Sequence, residues 1–93
     1  MTRFTLPAVL THVEASATAQ ALVAAVQSQT QLDIDATGLQ HFDSSALAVL
    51  LAGMRQAAAQ GARLQVLGLP ARARSLAQVY GLSDLLQLPP PAA

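Results

Sequence analysis

Hydroxyl, carboxylate and imidazole groups meet in one short stretch of the sequence, His41-Phe42-Asp43-Ser44-Ser45. These group types serve nucleophilic acyl transfer, in which a positioned base activates a serine. The usual serine elbow is Gly-x-Ser-x-Gly, and neither glycine is present around Ser44. His12 and His41 are the only imidazoles, and a catalytic triad requires more partners than these. We therefore expect no catalytic residue.

The acidic and imidazole residues also lack the spacing of a metal site. The two histidines are separated by 28 residues, and the aspartates between them match no ligand pattern. The chain has no cysteine, which excludes a disulfide framework and thiolate ligands. Its five glycines are isolated and form no phosphate-binding loop. We expect no metal and no cofactor.

The same stretch contains the residues that begin a helix. With Asp43 as the N-cap, its carboxylate can accept a hydrogen bond from the free N–H of Ala46. Phe42 and Leu47 then occupy the two positions of a hydrophobic staple. Helix capping alone explains these residue types. The alternative is that a serine is modified or contacts a partner; a phosphate on Ser44 would lie at the positive end of the helix dipole, opposed by Asp43.

Hydrophobic periodicity predicts the elements that position this stretch. Strands are predicted at 3–11 with a bend at Pro7, at 31–36 and at 63–67. Helices are predicted at 14–29, 42–60 and 70–80. Ser16 or Thr11 can cap the first helix, and Gly61 ends the second. The order β, α, β, α, β, α has connections too long for hairpins and predicts an α/β fold.

The helix at 42–60 has two distinct faces. Its leucines follow the i, i+3, i+4, i+7 spacing of a core-facing stripe. The opposite face carries small residues and neither an acid nor a lysine: Ser45, Ala48, Val49 and Ala52. Such a face is typical of a surface on which another protein packs closely. The alternative is that alanine is simply a good helix former on a solvated face.

Composition limits the classes of partner. Five arginines and no lysine balance five acidic residues, so no basic patch is available for nucleic acid. Arg72 and Arg74 can contact carboxylates of a partner or remain solvated. Apolar residues make up 53% and charged residues 11%, which favours a component of an assembly. The longest apolar run is nine residues, short of the roughly 20 that span a membrane.

The residues from Asp43 to Leu47, Asp-Ser-Ser-Ala-Leu, resemble the Asp-Ser-Ser-Gly-Leu that opens a helix in STAS domains, the family of sulfate-transporter and anti-sigma-factor-antagonist modules. Ala46 replaces the family's glycine. Residues 32–39, 61–68 and 76–82 resemble further family elements, and the similarity covers roughly 4–88. It implies a mixed sheet of about four short strands with three to four helices packed on it. We expect one domain at 1–88 and a disordered Pro/Ala tail at 89–93.

Within the family, the short length and the ending at 77–82 resemble the MlaB-type subunit of the Mla phospholipid transporter. This resemblance implies a cytoplasmic protein without enzymatic activity, which reaches the inner membrane only through its complex. The partner it implies is the ATPase subunit of the ABC transporter. The expected contact residues are Ser44, Ser45, Ala48, Val49 and Ala52.

In the anti-sigma-factor antagonists of the same family, the position of Ser44 is the serine that a partner kinase phosphorylates. The resemblance therefore also implies an alternative function. In it, an anti-sigma serine kinase is the partner and a charge added to Ser44 expels it. The motif Asp43-Ser44-Ser45 is compatible with both functions.

Overall fold

The computed structural model of this protein describes residues 2–84 and 86. Its elements are β1 (Thr2–Thr5), β2 (Val9–Leu10), α1 (His12–Gln27), β3 (Gln31–Asp35), β4 (His41–Phe42), α2 (Ser45–Gln60), β5 (Arg63–Leu67) and α3 (Ala71–Val79). The predicted α/β class is confirmed. The predicted order β, α, β, α, β, α differs in two places: the first strand is divided into β1 and β2, and β4 lies where the second helix was predicted to begin. The tail expected at 89–93 lies outside the described residues.

The described strands form two small sheets in which every pairing is parallel. The larger sheet has the order β1-β3-β5, with Leu32 opposite both Thr2 and Leu64. The smaller pairs β2 with β4, placing Val9 opposite His41. Pro7 separates β1 from β2, because a proline lacks the N–H that a ladder requires. The predicted strand at 3–11 is therefore two short strands in two ladders.

Helices α1 and α2 pack on each other and on the larger sheet. Gly53 lies where these elements meet: a Cβ on Gly53 would be 2.7 Å from Leu22 Cδ2 and 3.3 Å from Leu64 Cδ2. Leu22 and Leu64 are both buried. The missing side chain at Gly53 therefore allows α2 to approach both α1 and β5.

The helix ends follow local residue chemistry. Thr11 caps α1, since its hydroxyl accepts from the Val13 N–H, while Glu14 accepts from the Thr11 N–H at 2.8 Å. This reciprocal pair forms a capping box. Gly61 ends α2 with a φ of 71°, a left-handed conformation that glycine adopts without strain. Of the two caps considered from the sequence, the structure selects Thr11.

Candidate partner-binding surface

The Asp43 carboxylate connects the first turns of two helices. Its Oδ1 accepts a hydrogen bond from the Ser45 N–H at 2.8 Å, and its Oδ2 accepts one from the His12 N–H at 3.2 Å. Ser45 begins α2 and His12 begins α1. The free N–H groups at a helix start require such acceptors. One side chain therefore fixes the two helix starts relative to each other.

The bonding of Asp43 differs in one detail from the sequence prediction. The carboxylate accepts from Ser45, whereas the Ala46 N–H donates to the backbone oxygen of Asp43 at 3.1 Å. The N-cap position itself is Ser44, whose side chain makes no capping hydrogen bond. Ser44 has an αR conformation, which places Asp43 one residue further from the helix than predicted.

Hydrogen bonding lowers the pKa of Asp43 below its usual range. The largest cause is the backbone hydrogen bond from Ser45, followed by the Ser45 side chain, and the bonds from His12 act in the same direction. Donated hydrogen bonds favour the charged carboxylate. The Asp43 carboxylate is therefore negatively charged at neutral pH.

The two serines of the motif have different environments. Ser44 is exposed, and Ser45 is half-buried. Because the Ser44 hydroxyl makes no capping bond, it is accessible to a partner or a modifying enzyme. Within the described residues no hydrogen bond joins it to His12 or His41. The geometry described here supplies no activating base for Ser44.

The predicted contact face of α2 is divided between surface and core. Ala48 is exposed and Ala52 is half-buried. Val49 is 1% exposed, so its side chain packs in the core and does not form part of the exposed face of α2. The physical reason is that α2 packs on α1 as well as on the sheet, which covers a second side of the helix. The exposed strip at the start of α2 is narrower than the helical projection predicted.

Two exposed valines lie at the same end of the molecule and were missed from the sequence. Val9 in β2 is 42% exposed and pairs with His41, three residues before Ser44. Val13 is 72% exposed and directly follows His12, which is bonded to Asp43. The sequence signal for the exposure of Val9 is its place next to the buried Leu10, because successive strand residues point to opposite faces. We call Val9, Val13, Ser44 and Ala48 the entry surface.

Arg72 of α3 contacts Phe42 of β4, the residue that precedes Asp43. Its guanidinium lies over the Phe42 ring, 4.6 Å from the centroid, and donates to the Phe42 backbone oxygen at 3.1 Å. Such cation–π contacts favour arginine over an aromatic face. Arg74 is half-buried, and its Nε has no hydrogen-bond partner among the described residues. Arg72 therefore positions β4 against α3 within the chain.

Residues 2–84 and 86 contain no group of three or more His, Cys, Asp or Glu side chains that could hold a metal ion. None of the helices in this part of the chain has the length and apolar character needed to cross a membrane.

The chain matches a protein-family model over most of its length. That model is described as "Mlab, STAS domain", and it matches residues 2–87. No curated protein matches the chain. The matched range contains all the described elements and the whole entry surface.

Proposed function

This chain belongs to the STAS domain family, and on that premise we propose that it is a non-catalytic subunit of an Mla-type phospholipid ABC transporter. It binds the ATPase subunit and stabilises the assembled transporter, which maintains the lipid asymmetry of the outer membrane. Members of the family are generally non-catalytic. The protein reaches the inner membrane through this complex and works on its cytoplasmic side.

The entry surface is the observation that carries this proposal. It combines two exposed valines with an exposed serine and an exposed alanine around the carboxylate of Asp43, whose side chain is 43% exposed. Interface cores are depleted of charged residues and enriched in apolar contact area. Ala48 has a short side chain that lets a partner helix approach α2 closely. The Ser44 hydroxyl supplies a hydrogen-bonding group at the margin.

Asp43 gives this surface its rigidity. Val13 lies in the first turn of α1 and Ala48 in the first turn of α2, and the Asp43 carboxylate is bonded to both helix starts. The two halves of the surface are therefore held in one arrangement before binding. Preorganisation of this kind reduces the entropy lost on association.

Affinity purification tests the proposal in cells. The tagged protein, purified in mild detergent, is expected to recover an ABC ATPase together with its membrane subunit, as identified by mass spectrometry. Ala48→Arg places a long charged side chain on the entry surface and should abolish this recovery. Ala59→Arg is the matched control, since Ala59 is also exposed on α2 but lies near its far end. Equal recovery with both variants would contradict the proposal.

The accessibility of Ser44 favours a second candidate function. Its exposed hydroxyl makes no capping bond, so an anti-sigma serine kinase could phosphorylate it without first opening the helix. A phosphate would add about 1.5 to 2 negative charges beside Asp43 and would expel a partner by repulsion and desolvation. In this function the protein is an anti-sigma-factor antagonist.

Phosphate-affinity electrophoresis distinguishes the two functions. The switch requires a slower-migrating species in extracts of the native cells, present in the wild type and in Ser45→Ala but lost in Ser44→Ala. Recovery of a serine kinase in the affinity purification would support the same function. A single unmodified species under all growth conditions would exclude the switch and leave the transporter function.

A further inference from the structure

An open groove follows the free edge of β5, on a different part of the molecule from the entry surface. It has a volume of about 730 Å³ and is bordered by β5, by residues 51–58 of α2, by Gln31 at the start of β3 and by Leu86. Residues 62–66 line it without interruption. Since successive strand residues point to opposite faces, this continuous lining means that the backbone of β5 borders the groove along most of the strand, and Gln31 closes one end.

The backbone of β5 is bonded on one side within the described sheet. Its neighbour there is β3, and the Arg63 N–H donates to the Thr30 oxygen at 2.8 Å. Alternate residues of a strand point their N–H and C=O groups to opposite sides. Leu64 and Val66 therefore direct theirs away from β3, toward the groove. An edge of this kind is a template on which another strand can pair.

The side chains around this edge define the chemistry of an occupant. Leu51 and Met54 from α2 and Leu64 from β5 give the groove an apolar part. Arg55 and Arg63 are its two charged residues; both are exposed, and neither has an ion pair among the described residues. No acidic side chain lines the groove. A segment whose acidic residues alternate with apolar residues would complement both the two arginines and the apolar part of the groove.

We propose that the edge of β5 is a docking site for an extended acidic segment of a partner protein, which adds to the sheet as a further strand. Backbone hydrogen bonds to Leu64 and Val66 hold the segment, its apolar side chains face Met54, and its carboxylates lie beside Arg55 and Arg63. Strand addition with alternating side-chain contacts is a recurring mode of peptide recognition. This site does not rest on the proposed function, because no entry-surface residue lines the groove.

Amide hydrogen exchange measured by NMR on the full chain tests the proposal. The probe is a synthetic peptide, acetyl-Asp-Val-Glu-Val-Asp-Leu-Glu-amide, and the control peptide has lysine at each acidic position. The acidic peptide should slow exchange of the Leu64 and Val66 amides, which are open in the free protein, while the already bonded Arg63 amide changes little. The lysine peptide should have no effect. Failure of the acidic peptide to protect these two amides, or equal protection by both peptides, would overturn the proposal.

Surface variants test the charge contribution without affecting the core. Arg55→Gln and Arg63→Gln should each weaken binding of the acidic peptide by about two- to fivefold, as expected for exposed ion pairs. The matched control is Gln27→Glu, which changes the net charge equally at an exposed position of α1 outside the groove. Unchanged affinity in both arginine variants would contradict the site.

Two other occupants would give distinct results with the free protein. Protection of Leu64 and Val66 that increases with protein concentration would mean that a second copy pairs with this edge. Protection that is independent of concentration and is lost in a chain ending at Leu86 would mean that the chain's own last residues occupy it. Either result would overturn docking of a partner segment.

Discussion

Asp43 and His12 are 31 residues apart in the sequence and directly bonded in the fold, the Asp43 Oδ2 accepting from the His12 N–H at 3.2 Å. The same carboxylate binds the Ser45 N–H. Local sequence reasoning assigns Asp43 to the start of α2 alone, whereas its carboxylate accepts hydrogen bonds from the starts of both α1 and α2. The hydrogen bond from His12 adds to the packing of α1 on α2 in setting the position of Ser44 relative to α1.

Replacing Asp43 should loosen both helix starts together. Asp43→Ala removes the acceptor of two backbone N–H groups, so we expect a lower free energy of unfolding and faster amide exchange at both His12 and Ser45. Asp84→Ala is the control, because Asp84 is an exposed aspartate outside the helices. Faster exchange at Ser45 alone would show that the link to α1 is unimportant.

Acidification should destabilise the fold through three carboxylates. The pKa of Asp43 is lowered by hydrogen bonds from Ser45, that of Asp35 by the Thr37 hydroxyl and N–H, and that of Glu14 by the Thr11 N–H. A carboxyl group whose pKa is lower in the folded state stabilises that state at any pH above its unfolded pKa, which is about 4. This contribution is lost as the pH falls through the folded value.

Urea unfolding between about pH 7 and pH 3 measures this effect. We expect the carboxylate contribution to be constant above about pH 5.5 and to decrease progressively below about pH 4.5. Asp43→Asn should show a shallower decrease, since one of the three groups no longer titrates. A free energy of unfolding that rises on acidification would contradict these assignments.

Gly53 should tolerate no branched side chain. Gly53→Val places its Cβ within 2.7 Å of Leu22 Cδ2 at the junction of α1, α2 and β5. Overpacking of this kind costs about 1–3 kcal/mol of stability. Gly38→Val is the control, because nothing lies within 4 Å of a Cβ on Gly38. Chemical denaturation of both variants measures the difference, and equal stabilities would contradict the close approach of the helices.

The cap of α1 can be tested by comparing Thr11 with Ser16, the other cap residue that the sequence suggested. Thr11→Ala removes the hydroxyl that accepts from Val13 and should lower the free energy of unfolding by about 1 kcal/mol. Ser16→Ala lies inside α1, where alanine is the better helix former, and should be neutral or slightly stabilising. Denaturant midpoints compare the two variants. A larger loss in Ser16→Ala would mean that the helix begins later than the structure places it.

The features predicted correctly from the sequence depend on neighbouring residues. Thr11, one of the two caps considered from the sequence, begins α1 through bonds within three positions, and Gly61 ends α2 through its own φ. The three helices and the strands β3 and β5 follow from hydrophobic periods of 3.6 and two residues, whereas the two-residue strand β4 was not predicted. Each of these signals is contained in a short window of the chain.

The features that were missed depend on tertiary contacts. Val49 lies outside the leucine stripe of α2, and its burial follows from the packing of α1 on a second side of that helix. Strict alternation in the strand predicted at 31–36 puts Asp33 and Asp35 on the face opposite Leu32 and Ile34, away from the core. Asp33 is nevertheless 5% exposed, and its Oδ1 has no hydrogen-bond partner among the described residues. Its strand is the central one, with Arg3 and Gln65 beside Asp33 in the register. The periodic pattern of one strand gives no information about which residues lie beside it on neighbouring strands.

The parallel pairing of the strands has a consequence for how the chain acquires its structure during synthesis. Paired residues in all described ladders are 30 to 32 positions apart, as in Thr2 with Leu32 and Gln31 with Arg63. Long-range pairings of this kind slow folding, because loop closure precedes any gain from contacts. The central strand gains its second neighbour only after Leu67 has left the ribosome. Until then the nascent chain exposes the apolar residues of β3 to chaperones and to aggregation.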